Sequence, residues 1–210
     1  IYGAGGAGAR GDSNTVGADG AANTGNGGNA GGATSSSSRG GGNGGSGIVI
    51  LKYSNGNSNP TIQSFGTVGS TTWTAPVGVT SVEYLVVGGG GGGGNGYDTG
   101  GGGGGSAGVV LSGTMSVTSS NSYNVVVGSG GNGGENTRAN SDGQDGGLSQ
   151  FDTVISLGGP KGLGSRSTAS NTKIGVGGLG GIIQVANPQI EYCLGDTADI
   201  IQARGLTGYS

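Results

Sequence analysis

The residues that come nearest to forming a chemical site are three carboxylates, Asp142, Asp145 and Asp152. Paired carboxylates can divide acid and base work in glycan hydrolysis, and clustered ones can hold Ca²⁺. Here Asp142-Gly143-Gln144-Asp145 lacks both the EF-hand spacing and the Gly-Gly-x-Gly-x-Asp nonapeptide array. The plainer reading is a solvated turn leading into a strand around Phe151. The chain contains no histidine, which excludes Ser-His-Asp and Cys-His catalysis, His-ligated zinc and haem held by histidine. Cys193 is the only cysteine, so it has no disulfide partner and reads as a small buried apolar residue. Matches to Gly-x-Gly-x-x-Gly are frequent, as glycine at this density makes them by chance, and none opens a βαβ unit. No Gly-Lys-Ser/Thr exists, so a P-loop is excluded. Arg10-Gly11-Asp12 matches the integrin tripeptide, weakly, because Arg-Gly and Gly-Asp neighbours recur in the chain. No Asn-x-Ser/Thr sequon is present. No cofactor and no metal are expected.

The most informative side chain is Tyr97, placed between the glycine runs 88–94 and 100–105 with Asn95 and Asp98 beside it. An aromatic ring on a loop otherwise bare of side chains can stack on a sugar or a partner surface, while Asn95 and Asp98 bond its hydroxyls. These three residues are the candidate receptor-binding set. In the competing reading Tyr97 covers its own glycine layer.

The elements that must position this loop follow from composition. Of 210 residues 58 are glycine and only 9% are charged, a poor match to a generic cytosolic enzyme. Glycine comes in blocks and proline totals 4, which excludes collagen. The longest apolar run is Ile48-Val49-Ile50-Leu51, far short of a membrane span. A net charge of −3 cannot drive strong nucleic-acid binding by counterion release, so neither nucleic acid nor membrane insertion is expected. Beginning at Ile1, the sequence reads as a processed product or a window of a longer chain.

Short segments rich in β-branched and aromatic residues, bounded by Gly or Pro, read as strands: 61–65, 71–74, 81–87, 108–112, 115–118, 123–127 and 151–157. The 81–87 strand carries apolar residues on both faces and is expected to be central and covered on both sides. The fold class is therefore all-β, a β-sandwich or jelly-roll-like unit. Only 197–204, followed by Gly205, reads as two helical turns. For the glycine blocks two readings stand. Either they are mobile loops, or they are three-residue-per-turn, polyglycine-II-like strands that exchange backbone hydrogen bonds laterally.

An internal repeat bears on that choice, because taken alone residues 1–47 read as a flexible linker or disordered tract. Gly47-Ile48-Val49-Ile50-Leu51 and Gly181-Ile182-Ile183-Gln184-Val185 each end a glycine block, at an offset of 134 residues between Ile48 and Ile182. Asn59-Pro60-Thr61-Ile62 and Asn187-Pro188-Gln189-Ile190 follow them, offset by 128. On this register 1–54 is the end of one repeat, 55–186 a complete one, and 187–210 the start of a further unit or a terminal cap.

The segment Trp73-Thr74-Ala75-Pro76-Val77-Gly78-Val79-Thr80-Ser81-Val82, continuing through Val86-Val87-Gly88 into glycine runs, together with the closing Gly47 to Tyr53, resembles a known family. It is similar to the glycine-rich repeat domains of bacteriophage tail fibres and of structural proteins of large DNA viruses, also met in microbial surface proteins. The resemblance covers about 1–186. It implies a tandemly repeated, homo-oligomeric, non-enzymatic module at a virion surface or outside the cell. Three functions follow as expectations: a tail-fibre or surface-fibre segment displaying glycine-rich loops to host glycans or proteins, a capsid or extracellular-filament building block without a receptor, and, from another class, a glycan-cleaving enzyme using Asp142, Asp145 or Asp152.

Overall fold

The computed structural model describes residues 1–165 apart from 11–12, 35–36, 55, 57–58, 99 and 137–140, together with strands at 182–185 and 190–192. The proposed helical turns at 197–204 and Cys193 lie outside the described residues. The strands are β1 (Ser38–Arg39), β2 (Ile48–Tyr53), β3 (Thr61–Phe65), β4 (Gly69–Thr74), β5 (Ser81–Val87), β6 (Gly96–Tyr97), β7 (Val110–Ser116), β8 (Ser122–Val127), β9 (Ser149–Phe151), β10 (Val154–Ser156), β11 (Ile182–Val185) and β12 (Ile190–Tyr192). No helix occurs among the described residues, and the fold is all-β. A six-stranded sheet in the order β12-β11-β7-β5-β2-β3 packs against a four-stranded sheet in the order β10-β9-β8-β4.

The core between the sheets comes from inward alternate residues. Val49 and Leu51 of β2 and Val82 and Val86 of β5 meet Trp73 of β4, Val125 and Val127 of β8 and Phe151 of β9. Fully burying each such side chain contributes roughly 1.5–3 kcal/mol. The Phe151 ring lies 5.8 Å from Trp73, 6.1 Å from Tyr123 and 6.4 Å from Tyr84, an aromatic centre that ties both sheets together.

Three strand expectations need correction. β5 is central and its Val82, Tyr84 and Val86 face lines the core, but its other face is covered only towards the end of the strand: Val87 is buried and Leu85 half-buried, whereas Glu83 is exposed and pairs with exposed Lys52 at 3.1 Å. The stretches 108–112 and 115–118 merge into one strand, β7, over Val110–Ser116, in which Gly113 lies opposite Tyr84 and gives its ring room; a Cβ there would sit 2.6 Å from the Tyr84 hydroxyl. Conversely, 151–157 does not form one strand. Asp152 adopts φ 50°, a left-handed conformation that Asp tolerates, and turns the chain between β9 and β10.

Beyond the sandwich most strands continue as glycine-rich segments. Segments 40–47, 102–109 and 141–147 lead into β2, β7 and β9, while 88–95, 128–134 and 157–165 follow β5, β8 and β10. Segment 25–32 packs beside 88–95, and segments 3–9 and 15–20 pack outside the rest. The amides of Gly88, Gly91 and Gly94 donate to the carbonyls of Val109, Ser106 and Gly103, those of Gly89, Gly92 and Asn95 to Gly147, Gln144 and Ser141, and those of Gly90 and Gly93 to Gly45 and Gly42. In return, the carbonyls of 89–95 accept from 25–32, 128–134 and 157–165 with the same period. Every fourth residue returns to the partner of the first, which is the three-residue turn of a polyproline-II-type strand. All these bonds measure 2.8–3.0 Å, so every backbone amide and carbonyl of 89–95 is satisfied.

Segment 88–95 thus has six neighbours, and these six bond to one another in a closed ring around it. This explains its unbroken glycine. A Cβ on Gly88, Gly91 or Gly94 would meet the carbonyl oxygen of Leu157, Pro160 or Leu163, one on Gly89 or Gly92 that of Ser129 or Asn132, and one on Gly90 or Gly93 that of Asn26 or Asn29, each at 2.0–2.1 Å. No direction is left for a side chain. The stretch 1–54, expected as the end of a preceding repeat, supplies four of the segments and β2, which pairs with β5.

Candidate functional site

Where the lattice ends, its central segment delivers the candidate loop. Asn95 is wholly buried: its amide nitrogen lies 3.4 Å from the Ser38 hydroxyl, and its side-chain oxygen accepts from the Ser141 amide at 3.2 Å. Expected to bond a ligand beside Tyr97, Asn95 instead directs its amide inward and anchors the loop. Gly96 and Tyr97 form β6, which pairs with Arg39 and Ser38 of β1. Tyr97 and Gly100 exchange backbone bonds of 3.1 and 2.9 Å, closing a tight turn in which Asp98 has φ 45°. The Asp98 amide donates to the Ser37 carbonyl at 3.1 Å, and the Ser165 hydroxyl donates to the Tyr97 carbonyl at 3.2 Å. Tyr97 and Asp98 are half-buried, so each presents part of its side chain to solvent on a backbone held from several sides.

Other turns gather at the same end. Arg10 and Ser13 lie against Gly32, and Glu135 donates its amide to the Ser141 hydroxyl at 2.8 Å. The exposed groups there include Arg10 and Glu135, with Arg39 half-buried beside Tyr97. Gly11 and Asp12 of the integrin-like tripeptide are outside the described residues. Among the described residues no three His, Cys, Asp or Glu side chains gather to hold a metal ion, and no helix is long and apolar enough to cross a membrane.

The carboxylates proposed for catalysis have structural partners. The Asp142 carboxylate accepts from the Gly164 amide at 2.9 Å and pairs with Lys161 at 3.1 Å, and the Asp145 carboxylate accepts from the Lys161 amide at 2.8 Å. Asp152 sits apart, in the β9–β10 turn. Asp142 and Asp145 belong to a set that the sequence reading missed. Asn26 and Asn29 accept from the amides of Ala4 and Ala7 at 2.9 Å, Asp19 from that of Asn43 at 2.7 Å, and Asn43 from that of Gly133 at 2.9 Å. Each short side chain supplies the acceptor that a further lattice segment would otherwise offer, so the lattice is closed at its rim. The readable signal is their three-residue spacing, Asn26/Asn29 and Asp142/Asp145, within otherwise small-residue stretches.

A family described as a glycine-rich domain matches residues 66–198, from the turn before β4 through the closing strands. The chain belongs to the glycine-rich domain family. No curated protein and no solved structure matches it. The matched span of this glycine-rich domain includes the central segment 88–95, the Tyr97 loop and the Asp142/Asp145 pair.

Proposed function

We propose that this glycine-rich domain is a non-enzymatic structural module of a virion or other extracellular surface, a tail-fibre or surface-fibre segment whose lattice holds loops for attachment to a host glycan or protein. The observation that carries this reading is the junction at Asn95, where a six-neighbour segment passes without a break into the Tyr97-Asp98 turn. A recognition loop fixed by backbone bonds loses little conformational freedom on binding, which offsets the small contact area of one half-buried ring. Homo-oligomerisation supplies the remaining strength through valency. A surface of Ser, Asn and Gly with few charges keeps such contacts largely independent of salt.

Attachment measured with intact particles or fibres tests this. Tyr97→Ala with Asp98→Ala leaves particle yield unchanged and lowers host adsorption by at least about tenfold, several weakened contacts multiplying in an oligomer. Unchanged adsorption by normally assembled particles contradicts display by this loop. The second reading, a capsid or filament building block without a receptor, is favoured by an exposed strand edge on the sandwich, and failed assembly of the same variant supports it.

A further inference from the structure

We propose that β4 is the seat of self-association, its free edge pairing antiparallel with the β4 edge of a second copy of this chain. The inference rests on the homo-oligomeric part of the function proposed above and names the surface responsible. β4 borders the four-stranded sheet, with β8 on one side and no strand paired on the other among the described residues. The Ala75 amide donates to the Asn121 carbonyl at 2.9 Å, directly after the Thr74–Ser122 pair. Antiparallel ladders alternate, so Trp73, Thr71 and Gly69 turn their backbone groups to β8, whereas Ser70, Thr72 and Thr74 turn theirs outward. The bond from the Asp152 amide to the Asn124 carbonyl, on the opposite side of β8, fits this phase.

Sheets ordinarily blunt such an edge with a charge, a proline or a bulge. This one has none of them: all six residues of β4 pair in register with β8, and the chain carries no charged residue between Lys52 and Glu83. Ser70, Thr71 and Thr72 are exposed, and Ile62 and Val68 stand exposed on the neighbouring β3 and the turn into β4. An uncharged edge meets its own copy without like-charge repulsion, although the whole chain is net negative, and it has nothing to attract an acidic or basic partner. A two-fold axis at Thr72 sets Thr72 opposite Thr72 and Ser70 opposite Thr74. That register gives up to about six N–H···O bonds and cross-strand contacts between small hydroxyl residues.

The test uses sedimentation equilibrium of the full chain at concentrations up to the order of 100 µM. Thr72→Pro removes an outward amide while sparing the β8 ladder. It is expected to weaken self-association at least about tenfold with an unchanged far-ultraviolet spectrum. Thr72→Cys in a Cys193→Ser background is expected to form an intermolecular disulfide, since hydrogen-bonded pairs place their Cα atoms about 5.5 Å apart. Self-association that is indifferent to Thr72→Pro, with no Thr72→Cys cross-link, overturns the β4 interface and leaves the homo-oligomeric reading intact. A wild-type chain that stays monomeric overturns both.

Discussion

Gly91→Ala is expected to destabilise the protein by at least about 4 kcal/mol, a size reserved for changes the structure cannot absorb. The added methyl carbon would lie 2.0 Å from the Pro160 carbonyl oxygen and 2.5 Å from its carbon. Relief requires moving a backbone whose neighbours are themselves fixed: the Gly91 amide is bonded to Ser106 and the Gly91 carbonyl to Gly28 at 2.8–2.9 Å. The sign of the effect separates the two readings of the glycine runs. In a mobile loop, Gly to Ala reduces the freedom of the unfolded chain and changes stability by well under 1 kcal/mol, or raises it by about 0.4–1 kcal/mol. Gly8→Ala is the internal control. It sits on an outer segment where the nearest atom to a Cβ is 3.9 Å away, so it should be neutral or slightly stabilising. Thermal or urea denaturation of the two variants beside the wild type gives the comparison.

Phe151→Ala should cost about 3–5 kcal/mol, the usual range for emptying a buried aromatic site. Phe151 is wholly buried and lies in ring contact with Trp73, Tyr84 and Tyr123, which come from both sheets. The consequence extends past the core. β9 is the continuation of 141–147, and β5 runs straight into 88–95, so loosening the sandwich removes the alignment that keeps lattice segments in register. Against a typical total of about 5–15 kcal/mol, the variant should melt well below the wild type, with sandwich and lattice lost in one transition. Two separate transitions in calorimetry would contradict this coupling.

Much of the sandwich was legible because it obeys ordinary strand rules. Thr61–Phe65 and Ser81–Val87 are read with the ends they have, since Asn59-Pro60 and Pro76-Val77-Gly78 punctuate the chain before them and Gly66 and Gly88 after them. The errors have tertiary causes. Gly113 reads as a break until Tyr84 is seen to need the space, and Asp152-Thr153 reads as strand until Asp152 is seen at positive φ. On the second face of β5 the apolar character of Leu85 and Val87 is a good guide, since they are half-buried and buried, whereas Glu83 before them marks the end of the strand that is exposed.

The glycine segments were harder to read. An uninterrupted run such as 88–94 contains no periodicity, so nothing local shows that its repeat is three residues or that it has six neighbours. That information lies in the companion segments, where Ala4/Ala7, Asn26/Asn29, Asn43/Ser46 and Ser129/Asn132 place a side chain at every third residue, the direction left open. Read together, these spacings rank the segments by how enclosed they are. At the tip, Tyr97 was identifiable by its isolation. The inward role of Asn95 was not, because it depends on Ser38 and Ser141, distant in sequence.

Amide hydrogen exchange across Gly88–Gly94 in the folded protein is the most direct measurement of whether backbone free of side chains forms the interior here. These amides are bonded to three segments in rotation, so they should exchange as slowly as those of core strands such as β5, at rates set by global unfolding. Exchange at unprotected rates through that run, with β5 remaining protected, would contradict the account.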